Sequence, residues 1–323
     1  MSINLEGKKV LVTGGDSMVG GAICQSLQRQ GARVDPCPHE ECDLLDRVQF
    51  HERIWTVKPD YVIHAAGWNG GIEWNRRYPE AIYYKTSLMA LNVLKSCVNS
   101  SVEKVVSIIS SCAYPNGLIG AMKEDDFWNG LPNTSVECHG LSKRMLDAYS
   151  RQINREHGLM AVCAVLTNSY GPCDSFHPDK TKVVGALIRK FVEAKERGDK
   201  EVVCWGTGAP LREFMYSEDA GSALVEVLSK YDDPTKVINV GSGQEVSIKE
   251  LTETISEVVG YEGNVVWDAD KQDGQMRKLL DSSRFRDLLV EGWANHSLKY
   301  GIGVTVEWYK QNKEYADNKK VKA

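Results

Sequence analysis

Val10-Leu11-Val12-Thr13-Gly14-Gly15-Asp16-Ser17-Met18-Val19-Gly20 is the stretch on which the fold turns. Val10 to Thr13 is a strand-length apolar run, Gly14-Gly15 end it, and a helical pattern follows from Met18 to about Gln30. A strand that passes through a glycine turn into a helix places backbone N–H groups and the positive end of the helix dipole together, which is what a pyrophosphate needs. Gly14 and Gly20 fit the first and third glycines of a G-x-x-G-x-x-G spacing, with Ser17 at the middle position. The spacing predicts that Gly14, Gly15, Ser17, Met18, Val19 and Gly20 cradle a dinucleotide.

Working outward, apolar runs recur at Tyr61 to His64, Val105 to Ile109 and Ala161 to Leu166, each separated by enough chain for a helix. Strands alternating with helices imply parallel pairing by crossovers, and continuous rather than alternating apolar runs imply a sheet covered on both faces. The expected fold is α/β. Residues 1–175 form a doubly wound, Rossmann-type parallel sheet, with a returning segment near 215–241, and residues 176–323 supply most of a smaller α/β substrate lobe. In that lobe the pattern predicts helices over Val183–Arg197, Ser247–Val259, Ser282–Leu289 and Trp308–Tyr315, and strands at Val202–Trp205 and Val237–Val240.

Composition narrows the function. The 323 residues are 42% hydrophobic and 26% charged, with a net charge of −5, which argues against a nucleic-acid or anionic-membrane binder. Nine scattered cysteines do not form a disulfide framework and fit a reducing cytoplasm. Cys37 and Cys42 flank His39 without a second ligand cluster, so no metal is expected. The sequence shows no signal-peptide-like stretch and no apolar run of membrane-spanning length, and a soluble, cytoplasmic protein is expected.

The nucleotide preference reads two ways. Asp35, at the end of the second strand, favours a free ribose hydroxyl and therefore NAD, with no Arg or Lys beside it in sequence. The small residues Ala65 and Ala66 after the third strand let a cofactor lie against backbone, and Ser110-Ser111-Cys112 follows the fourth.

Larger blocks then carry a family likeness. They are Gly70-Gly71-Ile72, Ser110-Ser111-Cys112-Ala113-Tyr114-Pro115, Thr167-Asn168-Ser169-Tyr170-Gly171-Pro172, Phe176-His177-Pro178, Trp205-Gly206-Thr207-Gly208, Arg212-Glu213-Phe214, and Asp273-Gly274 with Arg277-Lys278-Leu279-Leu280-Asp281. In this order the chain resembles the GDP-L-fucose synthases, extended short-chain dehydrogenase/reductases that epimerise GDP-4-keto-6-deoxymannose at C3 and C5 and reduce it at C4. The resemblance implies NADP as cofactor, a GDP-sugar substrate, and a homodimer built on helices near Glu80–Asn99 and Ser142–Glu156, with Leu88, Leu91, Val93, Met145 and Leu146 as apolar candidates. It implies that Ser110 hydrogen-bonds the carbonyl, that Cys112 is an epimerisation acid/base, and that Lys143 holds the cofactor ribose. It further implies that His177 lies against the cofactor and that Asn168, Lys190, Trp205, Arg212 and Lys278 meet the GDP-sugar.

Two positions depart from the family. His139 stands four residues before Lys143, where the family has Tyr, and Lys182 stands where it has an epimerisation His. Four-residue spacing keeps His139 and Lys143 on one helix face. With reference values, roughly a quarter of an imidazole is protonated at pH 7, so His139 is expected to act as an imidazolium acid in the reduction. Lys182 reads either as an acid/base lysine or as a solvated one. The departures leave open an epimerase-only or reductase-only enzyme, one acting on another GDP-sugar such as a heptose, and a dinucleotide-binding homologue without turnover.

Overall fold

The computed structural model describes residues 2–271, 273–289 and 295–318. The first lobe is laid down by β1 (Lys9–Thr13), α1 (Met18–Arg29), β2 (Arg33–Asp35), α2 (Arg47–Val57), β3 (Tyr61–His64), α3 (Ile72–Arg77), α4 (Pro79–Cys97), β4 (Lys104–Ser110), α5 (Glu137–His157) and β5 (Met160–Leu166). The chain then crosses into the second lobe through β6 (Asn168–Tyr170), α6 (Val183–Arg197), β7 (Glu201–Trp205) and β8 (Leu211–Tyr216). It returns as α7 (Ser217–Lys230) and β9 (Ile238–Val240), and leaves again as β10 (Glu245–Ser247), α8 (Ile248–Val259), β11 (Asn264–Asp268), β12 (Arg277–Lys278), α9 (Ser283–Arg286), α10 (Leu298–Gln311) and α11 (Lys313–Asn318).

The large sheet runs β2-β1-β3-β4-β5-β9, with every pair parallel. Parallel strands covered on both faces bury whole runs, and β3 and the Val105–Val106 start of β4 are buried throughout. One apolar layer lies under α2, α4 and α5; the other packs α1 and α7 on the opposite face. Strand order reverses between β1 and β3, and the carboxyl ends at such a reversal open the crevice in which doubly wound sheets bind ligands.

A third core, holding Phe176, Phe191, Tyr170, Leu251 and Tyr309, belongs to the second lobe. Its strands fall into small sheets: β10-β8-β12 with β6 on β8, and β7 with β11. The helix expected over Trp308–Tyr315 is instead two. Helix α10 begins ten positions earlier, at Leu298 behind a Ser297 cap, and ends at an Asn312 cap whose side chain turns back onto the Trp308 carbonyl, and α11 starts afresh at Lys313. Of the expected α4–α5 interface residues, Val93 and Leu146 are buried in the core, while Leu88, Leu91 and Met145 remain half-buried. No helix among the described residues is long and apolar enough to cross a membrane.

Candidate active site

The phosphate loop sits at the strand-order reversal. Gly14 adopts φ +67°, and a Cβ there would stand 3.2 Å from Ala66 Cα, so β1 and β3 exits touch where only a glycine fits. A Cβ on Gly20 would come 2.0 Å from the Gly14 carbonyl oxygen, which lets the first turn of α1 close onto the loop. Ser17 is the N-cap of α1, its hydroxyl accepting the Gly20 N–H at 3.1 Å, which explains a serine at the middle position. Met18 and Val19 are half-buried in that turn, and the Gly15 N–H donates to the Pro36 carbonyl at 2.9 Å, tying the loop to β2. This cradle and the α1 N-terminus fit a dinucleotide pyrophosphate. Ala65 and Ala66 lie half-buried beside it, with the Ala66 N–H donating to Thr13 Oγ1.

The end of β2 differs from the sequence expectation. Asp35 is not an open carboxylate awaiting a ribose. Arg53, projecting from α2, grips it through Nε at 2.9 Å and through Nη2, and also reaches Glu41 at 3.0 Å. The arginine absent beside β2 in sequence is thus supplied by the next helix. The guanidinium offsets the charge of Asp35 while shared with Glu41, and its remaining N–H groups are of the kind that suit a phosphate.

Deeper in the crevice, α5 presents His139 and Lys143, both buried. Lys143 Nζ donates to the Ile108 carbonyl at 3.0 Å, and burial pushes its ammonium down to about 8. The His139 ring takes up a different state from the expected imidazolium. Burial, and then the charges of Lys143, Lys182 and Lys278, hold it well below the usual imidazole range, so it is neutral at pH 7. Its Nε2 meets Asn69 Nδ2 at 3.1 Å, while Nδ1 is buried without a hydrogen-bond partner among the described residues.

Ser110 ends β4, and its hydroxyl accepts the Cys112 N–H at 3.2 Å as the chain turns through a short 3-10 helix. Facing that turn, Lys278 Nζ lies 3.1 Å from Cys112 Sγ. Burial raises the thiol's pKa, but the Lys278 charge, the Ser110 hydroxyl and more distant Lys182 outweigh it and bring the group below the ordinary thiol range. Lys278 on β12 is the register partner of Arg212 on β8. Arg212 is lowered by burial and steadied by Cys112 and Asp273. Lys182, exposed, occupies the N-cap of α6 without capping it, a place where the helix dipole disfavours a cation.

The remaining residues spread further. Asn168 Nδ2 donates to the Glu213 carbonyl at 3.0 Å, so part of its hydrogen-bonding capacity pins β6 to β8. His177 caps its own loop, its Nδ1 accepting the Asp179 N–H at 3.3 Å. Lys190 reaches the Val203 carbonyl at 2.7 Å and Trp205 is 63% exposed, both at the β7–β11 sheet rather than on the β8–β12 pair. Sequence reading missed Arg53, Asn69 and Asn75. All three act through contacts that only the folded chain creates.

The chain belongs to the NAD dependent epimerase/dehydratase family, whose model matches residues 10–241. Its relatives narrow the class. GDP-L-fucose synthase 1 of Arabidopsis thaliana is 38% identical over 313 residues, covering 96% of each chain. A GDP-L-fucose synthetase of Naegleria fowleri, solved bound to NADP, superposes with a TM-score of 0.89 at 26% identity over 98% of both chains. A GDP-6-OMe-4-keto-L-xylo-heptose reductase of C. jejuni superposes at 0.87, also 26% identical, over 97% of this chain and all of that one.

Proposed function

We propose that this protein converts GDP-4-keto-6-deoxymannose to GDP-L-fucose, by inversion at C3 and C5 and NADPH-dependent reduction at C4. The observation that carries the reading is the Cys112–Lys278 contact at 3.1 Å beside Ser110, within a chain alike end to end with GDP-L-fucose synthases. An ammonium beside a thiol favours the thiolate, the form that acts as a base, and the C–H bonds flanking a ketone are the acids it can address. Cys112 removes the proton next to the 4-keto group while the Ser110 hydroxyl donates to the keto oxygen, and Lys182 returns a proton from the other face; exchange with water resets both groups.

Reduced nicotinamide, held over Gly14 to Gly20, supplies the hydride for C4. Lys143, at about 8, is still an ammonium at neutral pH and serves both to hold the ribose and as the proton source for the new hydroxyl. Arg53 meets the 2′-phosphate that distinguishes NADP. Arg212 and Lys278, paired across β8 and β12, face the diphosphate side of the sugar, with Asn168, Lys190 and Trp205 completing the nucleotide-sugar groove and His177 closing over the cofactor. Cysteines that form no disulfide among the described residues suit work in a reducing cytoplasm. A homodimer forms on α4 and α5, where Leu88, Leu91 and Met145 remain half-buried and Tyr84 is exposed; a monomer in light scattering at micromolar concentration overturns that part.

The deciding experiment is incubation with GDP-4-keto-6-deoxymannose and NADPH in deuterated water, followed by NMR of the product. Deuterium at C3 and C5 together with a reduced C4 is expected. Reduction without deuterium would favour the second reading, a reductase alone, for which Lys182 in the place of a histidine speaks. No reduction at all would overturn both.

A further inference from the structure

The ring of His139 does not stand alone. Asn75, buried on α3, points its side-chain nitrogen at the carbonyls of Gly70 and Gly71, at 3.1 and 3.0 Å, and at Asn69 Oδ1 at 3.0 Å. Backbone carbonyls only accept, so the Asn75 amide has one possible orientation, with its NH₂ turned to them. The same NH₂ therefore faces an acceptor on Asn69, which fixes Oδ1 on that side and Nδ2 on the other. Asn69 Nδ2 is also only a donor, and it lies 3.1 Å from His139 Nε2, so Nε2 must carry the lone pair. The proton of a neutral imidazole then resides on Nδ1, the nitrogen that is buried and has no hydrogen-bond partner among the described residues.

We propose that Asn69 and Asn75 are positioning residues that hold His139 with its proton on Nδ1, so that the ring serves the site as an uncharged hydrogen-bond donor through Nδ1–H and not as an imidazolium. The donor role rests on the reductase reading above; the tautomer does not. Protonating Nε2 would set an N–H against the Asn69 NH₂. Turning Asn69 over to relieve that would set its NH₂ against Asn75, which the Gly70 and Gly71 carbonyls hold in place. The relay therefore resists the charged ring at each step. Three cations act on the ring in the same sense: Lys143 one turn further along α5, Lys182 at the start of α6 and Lys278 on β12. The Gly71 N–H donates to the Lys180 carbonyl at 3.0 Å, so the relay is also tied to the loop that ends in Lys182. A buried neutral imidazole that polarises a carbonyl is an effective electrophile, because it stabilises developing negative charge without first needing to be protonated.

The test is a long-range proton–nitrogen correlation spectrum of the full chain labelled with ¹⁵N-histidine, with the His139 signals assigned by their loss in His139→Gln. Between about pH 6 and 8, where an unperturbed imidazole titrates, His139 should keep a protonated Nδ1 and an unprotonated Nε2. In Asn69→Asp the new carboxylate accepts from Nε2–H, so the proton should move to Nε2 and the ring should titrate at higher pH. The kcat for C4 reduction should fall about 10²-fold, the scale of a positioned donor, with the KM for NADPH unchanged. Asn69→Gln, which can still donate, should recover part of the rate. An Nε2–H ring, or a titration midpoint above pH 6, in the unaltered protein overturns the proposal. An Asn69→Asp protein whose tautomer switches while kcat stays constant overturns the donor role. Because the spectrum needs no sugar, failure to reduce GDP-4-keto-6-deoxymannose would count against the substrate reading and the donor role that rests on it, and would leave the tautomer standing.

Discussion

Lys182 and Lys278 act on both His139 and Cys112 and lower both, which favours the uncharged form of the one and the charged form of the other. Around His139, burial and the lysine charges push the same way, against a second positive charge, and the imidazole stays neutral. Around Cys112 they compete. Burial opposes a thiolate, but Lys278 at 3.1 Å and the Ser110 hydroxyl favour it and prevail. A single cationic field thus favours the deprotonated form of both groups, the uncharged form of the imidazole and the anionic form of the thiol. On the proposed function, electrostatics separates the two half-reactions: base chemistry falls to the thiol, and proton delivery from α5 falls to Lys143.

The strongest way to break this division is Cys112→Ser. Deuterium exchange at C3 and C5 should fall by about 10²–10⁴-fold, the usual span for a lost acid/base group, while C4 reduction persists; equal losses in both would show that the halves are not separable. Next in size, His139→Ala should lower kcat for reduction by about 10²-fold. The pH profile sharpens the same point. An imidazolium acid would make the rate fall through pH 6 to 7, whereas a neutral His139 with Lys143 at about 8 predicts a level rate below that value and a decline above it, as the ammonium loses its proton. Lys278→Met should slow alkylation of Cys112 at pH 7 about tenfold, the equivalent of one pKa unit, and an unchanged rate would remove Lys278 from the account. Smallest, and away from both groups, Arg53→Ala should weaken NADPH binding relative to NADH by about tenfold, which corresponds to one charge-assisted pair with phosphate. Equal affinities before and after would assign the 2′-phosphate to another residue.

What could be read in advance follows from how far apart the interacting residues lie in the chain. The strands of the large sheet were legible because burial on both faces leaves continuous runs such as Val105–Ile109, and the phosphate loop because its turn, cap and helix are contiguous. The strands β6, β10 and β12, of two or three residues, are too short to carry any periodicity and exist only because β8 lies beside them. In the site, it is the family resemblance that points to Ser110, Cys112 and Lys143, which stand in blocks contiguous in the chain. Arg53 is 18 residues from Asp35 and Asn69 is 70 from His139, and neither separation leaves a trace in the sequence. The state of His139 differs from the sequence expectation for the same reason. Reference values describe a solvated ring, and its lysines and its asparagine arrive from four different elements or loops.

The return of the chain from the second lobe to the first has a consequence for biosynthesis. Strand β5 ends at Leu166, but its outer neighbour β9 does not begin until Ile238, and α7 comes only just before it. At ~5–20 residues per second a ribosome takes several seconds to deliver the roughly seventy residues between them, and for that time an apolar strand offers an unpaired edge. A nascent chain stalled before Ile238 therefore presents the aggregation hazard that the finished protein covers, and holdase chaperones would meet this protein at that point of translation.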